Sequence, residues 1–420
     1  MSESRSVLIV SHDFAPVGTS VVQRVLHFAR YLPEYGWNAT ILCAAPSPYK
    51  AWDFSLLNTA ESLGIRIIRT GEFQSPEDKQ IIPPQSSRSA FRRKLNDAVS
   101  VPEAAVRWSK EALHRGRELL RGERFDVIMA TAPPFTDFLV ARQLAEEFNL
   151  PHVVDYQDLW VDNPFHFHAS PMHKARNIAH ETAVLKTSER ILVTSRHIKE
   201  SLLRRHAFLG HNDIEIIPHG YDPADFDAWQ GVHPDPARFT ITHSGKFVED
   251  RTPKYFLHAW ADFLRVDAAR REHCDARFIG ALSKNERKLI NKYKVAGNVT
   301  ATGYVPHTEA IRQLMESDVL WMMCRFNVRS SGKLFEYIGA RKPLLVCAPE
   351  GNIRTSAKNS GAAVVTAPAD VDAIKQALEL FYNLWQNNKL PAPNEDFVER
   401  YDRRRLSGDL ARVLGMAMRV

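Results

Sequence analysis

Residues 330–346, SSGKLFEYIGARKPLLV, predict a helix followed directly by a strand. Leu334 and Ile338 recur at helical spacing, and Pro343 ends the helical pattern. The run 344–346 is continuously apolar, which is typical of a parallel strand that is covered on both faces. This pairing of helix and strand favours an α/β fold.

Short apolar runs alternate with amphipathic segments along the rest of the chain. The runs predicted as strands are 7–10, 39–43, 65–68, 125–130, 152–156, 190–194, 214–217, 239–242, 276–279, 299–302, 319–323, 344–347 and 363–366. Strands that alternate with helices are typical of parallel sheets with helices on both faces. We therefore predict two Rossmann-like, doubly wound domains.

A domain boundary is predicted between residues 218 and 236, where Pro, Gly and Asp are concentrated and periodicity lapses. We expect an N-terminal domain over 1–220 and a C-terminal domain over 221–399. A final helix over 400–420 is expected to pack back onto the first domain. Open parallel sheets bind ligands at the carboxyl ends of their strands, so we expect the two domains to face a ligand-binding cleft.

The composition is that of a globular enzyme: 420 residues, 44% hydrophobic and 25% charged. No apolar run is long enough to span a bilayer, and the N-terminus lacks a signal-peptide core. These features predict a cytoplasmic protein. The four cysteines are far apart and form no CxxC motif, which argues against disulfides and zinc.

The stretch 88–124 is basic, with ten Lys and Arg residues against five acids. Apolar residues are interspersed among these cations, so the stretch could rest on an anionic membrane at its inner face or meet a phosphorylated acceptor. An ordinary solvated helix face is the alternative. No aromatic and basic repeat accompanies the stretch, so nucleic acid is not predicted as a partner.

The start of the helix predicted within 330–346 is a candidate site for a nucleotide diphosphate. Ser331, Gly332 and Lys333 leave backbone N–H groups free to attract an anion. Glu336 follows one turn later among apolar residues, where a carboxylate needs a partner. A ribose diol would satisfy it, and a salt bridge is the alternative.

A second candidate site follows the predicted strand 239–242. Gly245 and Lys246 follow two residues after this strand, and Arg251 lies five residues beyond Lys246. Two cations in such a loop suit a diphosphate and could stabilise the charge that develops on a leaving nucleoside diphosphate. A lone pair of surface cations is the alternative.

In the first domain, Gly18 follows the first strand and could let a ligand approach the backbone, although a simple capped turn is as good an interpretation. One glycine is not a GxGxxG motif, so a dinucleotide is not predicted. His12 in the same loop is an acceptor-side candidate.

The strand 152–156 leads into a further acceptor-side loop. Asp155 or Asp158 could orient or deprotonate an acceptor hydroxyl, and Trp160 could stack on a sugar. Helix or loop capping is the alternative for the two acids. Three histidines follow at positions 166, 168 and 173 without a compact metal-binding pattern, so no metal is predicted.

Together these passages resemble the GT-B glycosyltransferases, specifically the retaining, family 4-like enzymes, over nearly the whole chain. The similar passages of the first domain are 12–24, 132–136, 155–160 and 216–222. In the second domain, Lys246 and Arg251 resemble the family's Arg/Lys pair with the residue types exchanged. Residues 303–306 are similar to the segment around the base pocket, where Tyr304 or Val305 would contact the base.

The segment 330–346 is similar to the EX7E region of that family. Glu336 corresponds to the second glutamate, whereas Val328 replaces the first. In the family the first glutamate is associated with the transferred sugar, so the resemblance implies that other groups contact the sugar here.

The resemblance implies transfer of a sugar, with retention, from a nucleoside diphosphate sugar to a hydroxyl of a sugar, lipid-linked or small-molecule acceptor. Lys246 and Arg251 would hold the diphosphate, Glu336 the ribose, and residues 331–333 the phosphates or the sugar. No metal or other cofactor is implied. The resemblance implies that this reaction takes part in the synthesis of a glycan, a surface polysaccharide or a glycosylated metabolite. A nucleotide-sugar epimerase and a non-catalytic nucleotide-sugar-binding protein are the alternatives.

Overall fold

The computed structural model describes residues 4–48, 50–73, 100–163, 168–247, 251–325 and 332–419. The chain forms two compact units. The first consists of Met1–His219 together with Arg403–Val420, and the second of Gly220–Asp402. This division lies one residue before the boundary predicted after residue 220.

The first unit is built on a parallel sheet. Its strands are β1 (Arg5–Val10), β2 (Trp37–Ala44), β3 (Arg66–Thr70), β4 (Val127–Ala132), β5 (His152–Tyr156), β6 (Arg190–Val193) and β7 (Ile214–Ile216). Over the described residues the strand order is β3-β2-β1-β4-β5-β6-β7. The accompanying helices are α1 (Ser20–Tyr31), α2 (Phe54–Ser62), α3 (Ser109–Gly122), α4 (Thr136–Phe148), α5 (Pro171–Thr187) and α6 (Arg196–Arg205).

The central strand β1 shows why this sheet needs helices on both faces. Val7 and Ile9 belong to one hydrophobic cluster, whereas Leu8 and Val10 belong to another. All four side chains are buried. Successive side chains of a strand point to opposite faces, so a continuously apolar strand is stable only when both faces are covered.

The second unit repeats this plan. Its strands are β8 (Phe239–Ser244), β9 (Cys274–Ile279), β10 (Val299–Gly303), β11 (Val319–Met323), β12 (Leu344–Cys347) and β13 (Ala363–Thr366), in the order β10-β9-β8-β11-β12-β13. Its helices are α7 (Pro223–Asp227), α8 (Lys254–Leu264), α9 (Ala268–His273), α10 (Lys284–Tyr293), α11 (His307–Met315), α12 (Gly332–Gly339), α13 (Asn352–Asn359), α14 (Val371–Gln386) and α15 (Glu395–Glu399). Each of the thirteen predicted strands is present, which confirms the predicted fold class.

The last helix, α16 (Arg403–Ala417), packs against α1 in the first unit. Leu410 and Leu414 are buried in the same cluster as the apolar face of α1. Arg403 is buried and donates to the Gln23 carbonyl at 3.0 Å. Burial and the nearby charge of Arg24 lower the pKa of Arg403 to about 9.

The order of strands reverses between β1 and β4 in the first unit, and between β8 and β11 in the second. In open parallel sheets, ligands bind outside the carboxyl ends of the strands at this switch point. The loops that follow these four strands are therefore the places to look for functional side chains.

The basic stretch predicted over 88–124 falls partly outside the described residues, at 88–99. In its described part, Ala112 and Leu119 of α3 are buried in the core of the first unit. The apolar side of α3 is therefore occupied by the core of the first unit. Within the described parts of the chain, no helix combines the length and apolar character that a membrane span requires. All four cysteines are buried free thiols.

Candidate functional site

The loop after β8 is held in place by α12 and by β9. The Ser244 N–H donates to the Tyr337 hydroxyl oxygen at 2.6 Å. Gly245 donates to the Ile279 carbonyl at 2.8 Å and has a φ of +129°, which favours glycine. A Cβ on Gly280 would lie 3.0 Å from the Gly245 carbonyl oxygen. Glycine at both positions thus lets the two strand ends approach each other closely.

Lys246 extends from this turn toward Tyr304, at the end of β10. Its Nζ atom lies 5.4 Å from the centroid of the Tyr304 ring, a geometry suited to a cation–π contact. Within the described residues, Lys246 makes no ion pair with a carboxylate. The structure therefore brings together the predicted residues Gly245, Lys246 and Tyr304, with Val305 half-buried beside them.

Arg251 lies close in sequence to a contact with β11. The next N–H, of Thr252, donates to the Met323 Sδ atom at 3.4 Å. Burial lowers the pKa of His243 to about 3, and the charges of Arg251 and Lys333 add to this lowering. Arg251 and Lys333 therefore both act electrostatically on the carboxyl-terminal end of β8. Like Lys246, Arg251 has no carboxylate partner among the residues that the structure describes.

Helix α12 places Lys333 and Glu336 one turn apart. Lys333 Nζ lies 2.7 Å from Glu336 Oε2, and Glu336 is only 6% exposed. The salt bridge considered as the alternative for Glu336 is therefore present. In the described part of the chain, Oε1 has no hydrogen-bond partner. Gly332 begins the helix, whereas Ser331 and Val328 lie outside the described residues.

A charged histidine near these groups was missed by the sequence analysis. His307 Nε2, at the start of α11, lies 2.9 Å from Asp225 Oδ2 of α7. Burial disfavours the imidazolium, but the charges of Asp225 and Glu336 outweigh it and raise the pKa of His307 to about 9. The only sign of this pair in the sequence was a histidine directly after the 303–306 passage. The pairing itself could not be predicted, because Asp225 lies 82 positions away from His307.

In the first unit, His12 is held by its neighbours at the carboxyl end of β1. Its backbone N–H donates to Asp137 Oδ2 at 2.8 Å, and its ring Nδ1 lies 3.0 Å from Asp13 Oδ1. Asp13 also pairs with Lys50. Burial raises the pKa of Asp13, but the partners His12 and Lys50 outweigh it and lower the pKa to about 2.

Gly18 uses its backbone N–H within the fold, where it donates to the Ala51 carbonyl at 2.9 Å. This N–H is therefore engaged within the fold, and the structure favours the alternative of a turn that leads into α1.

Asp155 has a structural role that differs from the predicted acceptor contact. It is fully buried, and Arg24 donates to both of its oxygens at 2.9 Å. Thr131 Oγ1 donates to Oδ2 at 2.9 Å as well. Arg24 in turn donates to the carbonyls of Ile217 and Pro218. The prediction for Asp155 is wrong because α1, β4 and β5 enclose it completely.

Trp160 is likewise a core residue, contrary to the prediction of a sugar-stacking surface. Its indole is fully buried, stacks on Phe135 with centroids 4.9 Å apart, and donates to Asn177 Oδ1 at 2.9 Å. Asp158, in the turn after β5, is only half-buried. Of the three predicted residues in this loop, Asp158 is thus the one that keeps some exposure.

The histidines after this loop form structural contacts. His168 Nε2 lies 3.2 Å from the Val161 carbonyl, and His173 Nε2 lies 2.8 Å from the Ser100 carbonyl. His166 lies outside the described residues. Over the ranges that the structure describes, no group of three or more His, Cys, Asp or Glu side chains is arranged to hold a metal.

Comparisons with known proteins show which sequences and structures this chain is similar to. Residues 19–220 match the family model of the glycosyl transferase 4-like domain. No curated protein sequence matches the chain significantly. Among solved structures, sucrose-phosphate synthase from Thermosynechococcus elongatus is similar with a TM-score of 0.66 and 15% identity, over 97% of this chain and 98% of that one.

Two further structures are similar over nearly their full length. Anabaena HepE, in complex with UDP and glucose, has a TM-score of 0.64 and 13% identity, over 98% of this chain and 99% of that one. The lipopolysaccharide outer core galactosyltransferase WaaB has a TM-score of 0.58 and 12% identity, over 97% and 99%. Residues 19–220 are thus similar to the glycosyl transferase 4-like domain, and the chain has the fold of the GT-B glycosyltransferases.

Proposed function

We propose that this glycosyltransferase moves a sugar from a nucleoside diphosphate sugar to an acceptor hydroxyl, with retention at the anomeric carbon. In this proposal the Gly220–Asp402 unit binds the donor, and the first unit binds the acceptor. HepE is similar in fold and its structure contains UDP and glucose, which makes UDP and UDP-glucose the first ligands to test.

The observation that carries the proposal is the pair of cations after β8. Lys246 and Arg251 lack carboxylate partners among the described residues, and both follow a strand at the switch point of its sheet. Uncompensated cations at such a position attract a diphosphate. As the bond to the sugar breaks, they stabilise the negative charge that develops on the leaving group.

Helix α12 supplies the other donor contacts. The Oε1 atom of Glu336 accepts hydrogen bonds from the ribose hydroxyls while Oε2 stays paired with Lys333. Lys333 and the backbone of Gly332 lie at the start of the helix, which favours phosphate oxygens. Tyr304 and Val305 contact the base. Ser331 is also proposed to bind the phosphates. This proposal rests on the family resemblance alone, because Ser331 lies outside the described residues.

The proposed chemistry uses no metal or other cofactor. Lys246 and Arg251 supply two positive charges that no described carboxylate offsets. These charges can stabilise a leaving diphosphate, as a divalent cation does in other enzymes. Retention is proposed from the family resemblance, and NMR of the first-formed product measures it by the configuration at the anomeric carbon.

The acceptor is proposed to be a sugar, a lipid-linked molecule or another small molecule that presents a hydroxyl to the first unit. His12 and Asp158 are its proposed contacts, since both are partly exposed beyond the strands of that unit. Synthesis of a glycan, surface polysaccharide or glycosylated metabolite in the cytoplasm, with contact to an anionic membrane through 88–124, stays a prediction from the sequence.

A thermal-shift screen with UDP, GDP, ADP, CMP and dTDP tests the proposal, because a ligand of the native state raises the melting temperature as its concentration exceeds its Kd. Product analysis then assigns the chemistry. Release of the nucleoside diphosphate that depends on an acceptor supports the transferase. An interconverted nucleotide sugar would indicate an epimerase, and binding without turnover would indicate a binding protein.

A further inference from the structure

A buried histidine lies at the carboxyl end of β8, next to the loop that carries the two proposed diphosphate cations. His243 is 3% exposed. Its ring stacks on Phe247 with centroids 4.4 Å apart and lies 5.0 Å from the ring centroid of Trp321. The Nδ1 atom lies 3.0 Å from the Trp321 carbonyl oxygen. The stacking and this polar contact together fix the orientation of the imidazole.

The other ring nitrogen, Nε2, is a hydrogen-bond acceptor that lacks a donor. A carbonyl oxygen can only accept, so the contact with Trp321 places the ring hydrogen on Nδ1 and the lone pair on Nε2. Burial lowers the pKa of His243 to about 3, which keeps the ring neutral at pH 7. Among the described residues, Nε2 is buried without a hydrogen-bond partner. Such a group lowers stability, so its presence calls for a reason other than folding.

Both ends of the loop after β8 lie near this atom. A Cβ on Gly245 would be 4.0 Å from His243 Nε2, so the turn that precedes Lys246 passes beside it. At the other end of the loop, the Thr252 N–H donates to Met323 Sδ at 3.4 Å. A thioether sulfur is a weak acceptor. The segment that begins with Arg251 is therefore held only weakly at this contact and can adjust when a ligand binds.

The missing donor must be a group of the protein, because Nε2 has no exposed surface that a ligand could reach. Two cations, Arg251 and Lys333, act on the ring electrostatically. Lys333 is already paired with Glu336 at 2.7 Å. Arg251 has no carboxylate partner among the residues that the structure describes. The guanidinium of Arg251 is therefore the donor that is available to Nε2.

A neutral acceptor suits an arginine that has to bind a diphosphate. A carboxylate would orient the guanidinium, but it would also offset the positive charge and compete with the phosphates. A neutral imidazole accepts one of the five guanidinium N–H groups and leaves the charge intact. The remaining N–H groups can still donate to phosphate oxygens.

We propose that His243 Nε2 accepts a hydrogen bond from the Arg251 guanidinium when a diphosphate is bound, and so directs Arg251 at the phosphates. The inference rests on the proposed function, because it concerns how that site holds its ligand. His243 does not touch the donor and is a positioning residue. The acceptor that is unsatisfied in the free protein is thus paired in the complex.

The test measures calorimetric affinity for pyrophosphate and for UDP with the full-length protein. His243→Phe keeps an aromatic ring on Phe247 and removes the acceptor. Because hydrogen bonds to charged groups are strong, we expect this variant to bind both ligands about tenfold more weakly. It is expected to melt within about 3 °C of the wild type, since the lost bond to Trp321 is offset by removal of an unsatisfied buried group.

Two further variants serve as comparisons. His243→Gln has a neutral oxygen acceptor at a similar distance from the backbone, and it is expected to bind pyrophosphate within about threefold of the wild type. His258→Phe changes a histidine of α8 whose side chain is 47% exposed, and it is expected to leave both affinities unchanged.

A double-variant cycle with Arg251→Ala separates positioning from a general structural effect. If His243 acts through Arg251, His243→Phe changes pyrophosphate affinity by less than about twofold once Arg251 is alanine. A tenfold loss in that background as well would show a structural role and overturn the proposal. Wild-type affinity in His243→Phe, or equal losses in His243→Phe and His243→Gln, would also overturn it.

Failure of the proposed function gives a different result. A wild-type protein that binds pyrophosphate but none of the nucleoside diphosphates would contradict the nucleotide-sugar donor, while the cycle with pyrophosphate still decides the role of His243. A wild-type protein that binds neither ligand would overturn the diphosphate site and this inference with it. That outcome appears before any variant is made.

Discussion

Lys333 Nζ lies 2.7 Å from Glu336 Oε2, one helical turn apart at the start of α12. This salt bridge neutralises a carboxylate that is otherwise buried, and it leaves Oε1 without a hydrogen-bond partner among the described residues. The Glu336 carboxylate can therefore be stable in the free protein and still accept a hydrogen bond from a ribose hydroxyl. The same pair also places a cation beside the proposed phosphate position.

We expect Glu336→Gln to weaken UDP binding about tenfold, or about 1.4 kcal/mol, because the neutral amide is a weaker acceptor for ribose hydroxyls. Pyrophosphate, which lacks a ribose, is expected to bind as tightly as to the wild type. Calorimetry with both ligands measures the difference. Glu350→Gln is the matched control, since the Glu350 side chain is 81% exposed. Equal weakening for UDP and pyrophosphate would contradict a ribose contact.

The buried pair of Arg24 and Asp155 is expected to be important for stability. Arg24→Met leaves the Asp155 carboxylate buried without its cation, which is expected to lower the free energy of unfolding by about 3–5 kcal/mol. Urea denaturation measures this change. Arg196→Met removes a cation that is 79% exposed, and it is expected to change the free energy by less than about 0.5 kcal/mol.

The double variant Arg24→Met with Asp155→Leu separates lost charge pairing from lost packing. We expect it to recover a large part of the stability that Arg24→Met loses, because no charge is left buried. A double variant that is less stable than Arg24→Met would show that the pair stabilises the protein mainly through packing and not through charge pairing.

The pair of His307 and Asp225 is expected to make stability depend on pH. The pKa of His307 is raised from 6.5 to about 9 in the folded protein. Its contribution is therefore fully present below about pH 6.5 and is lost as the pH rises through 9. We expect the wild type to lose on the order of 2 kcal/mol between these limits through this group.

His307→Gln is expected to remove that part of the pH dependence, as measured by urea denaturation at pH 6 and pH 9.5. His258→Gln is the control, because the His258 side chain is 47% exposed on α8. Identical pH dependence in the wild type and His307→Gln would rule out the raised pKa.

The strands were predictable because their information is local. A run such as 344–347 is apolar at every position, and it forms β12 with all four residues buried. Glu336 was also predictable as a buried acid, since its helical neighbours are apolar. The i,i+3 spacing of Lys333 and Glu336 was visible in the sequence as well.

The errors at Asp155 and Trp160 have a common physical cause. Asp155 lies near the carboxyl end of β5 and Trp160 follows that strand. These positions favoured exposure, but distant segments cover both residues. Asp155 is paired with Arg24, 131 positions away, and Trp160 stacks on Phe135. A single sequence gives no sign of such long-range partners, and the same reason hid the pair of His307 and Asp225.

The most direct test of the central claim is the effect of Arg251→Ala on the turnover of UDP-glucose with an acceptor. The proposed role predicts at least a tenfold loss, about 1.4 kcal/mol of transition-state stabilisation, in a protein that melts at the wild-type temperature. Arg287→Ala, which changes an exposed arginine of α10, is expected to keep wild-type turnover. Wild-type turnover in a folded Arg251→Ala protein would contradict the donor site proposed for the second unit.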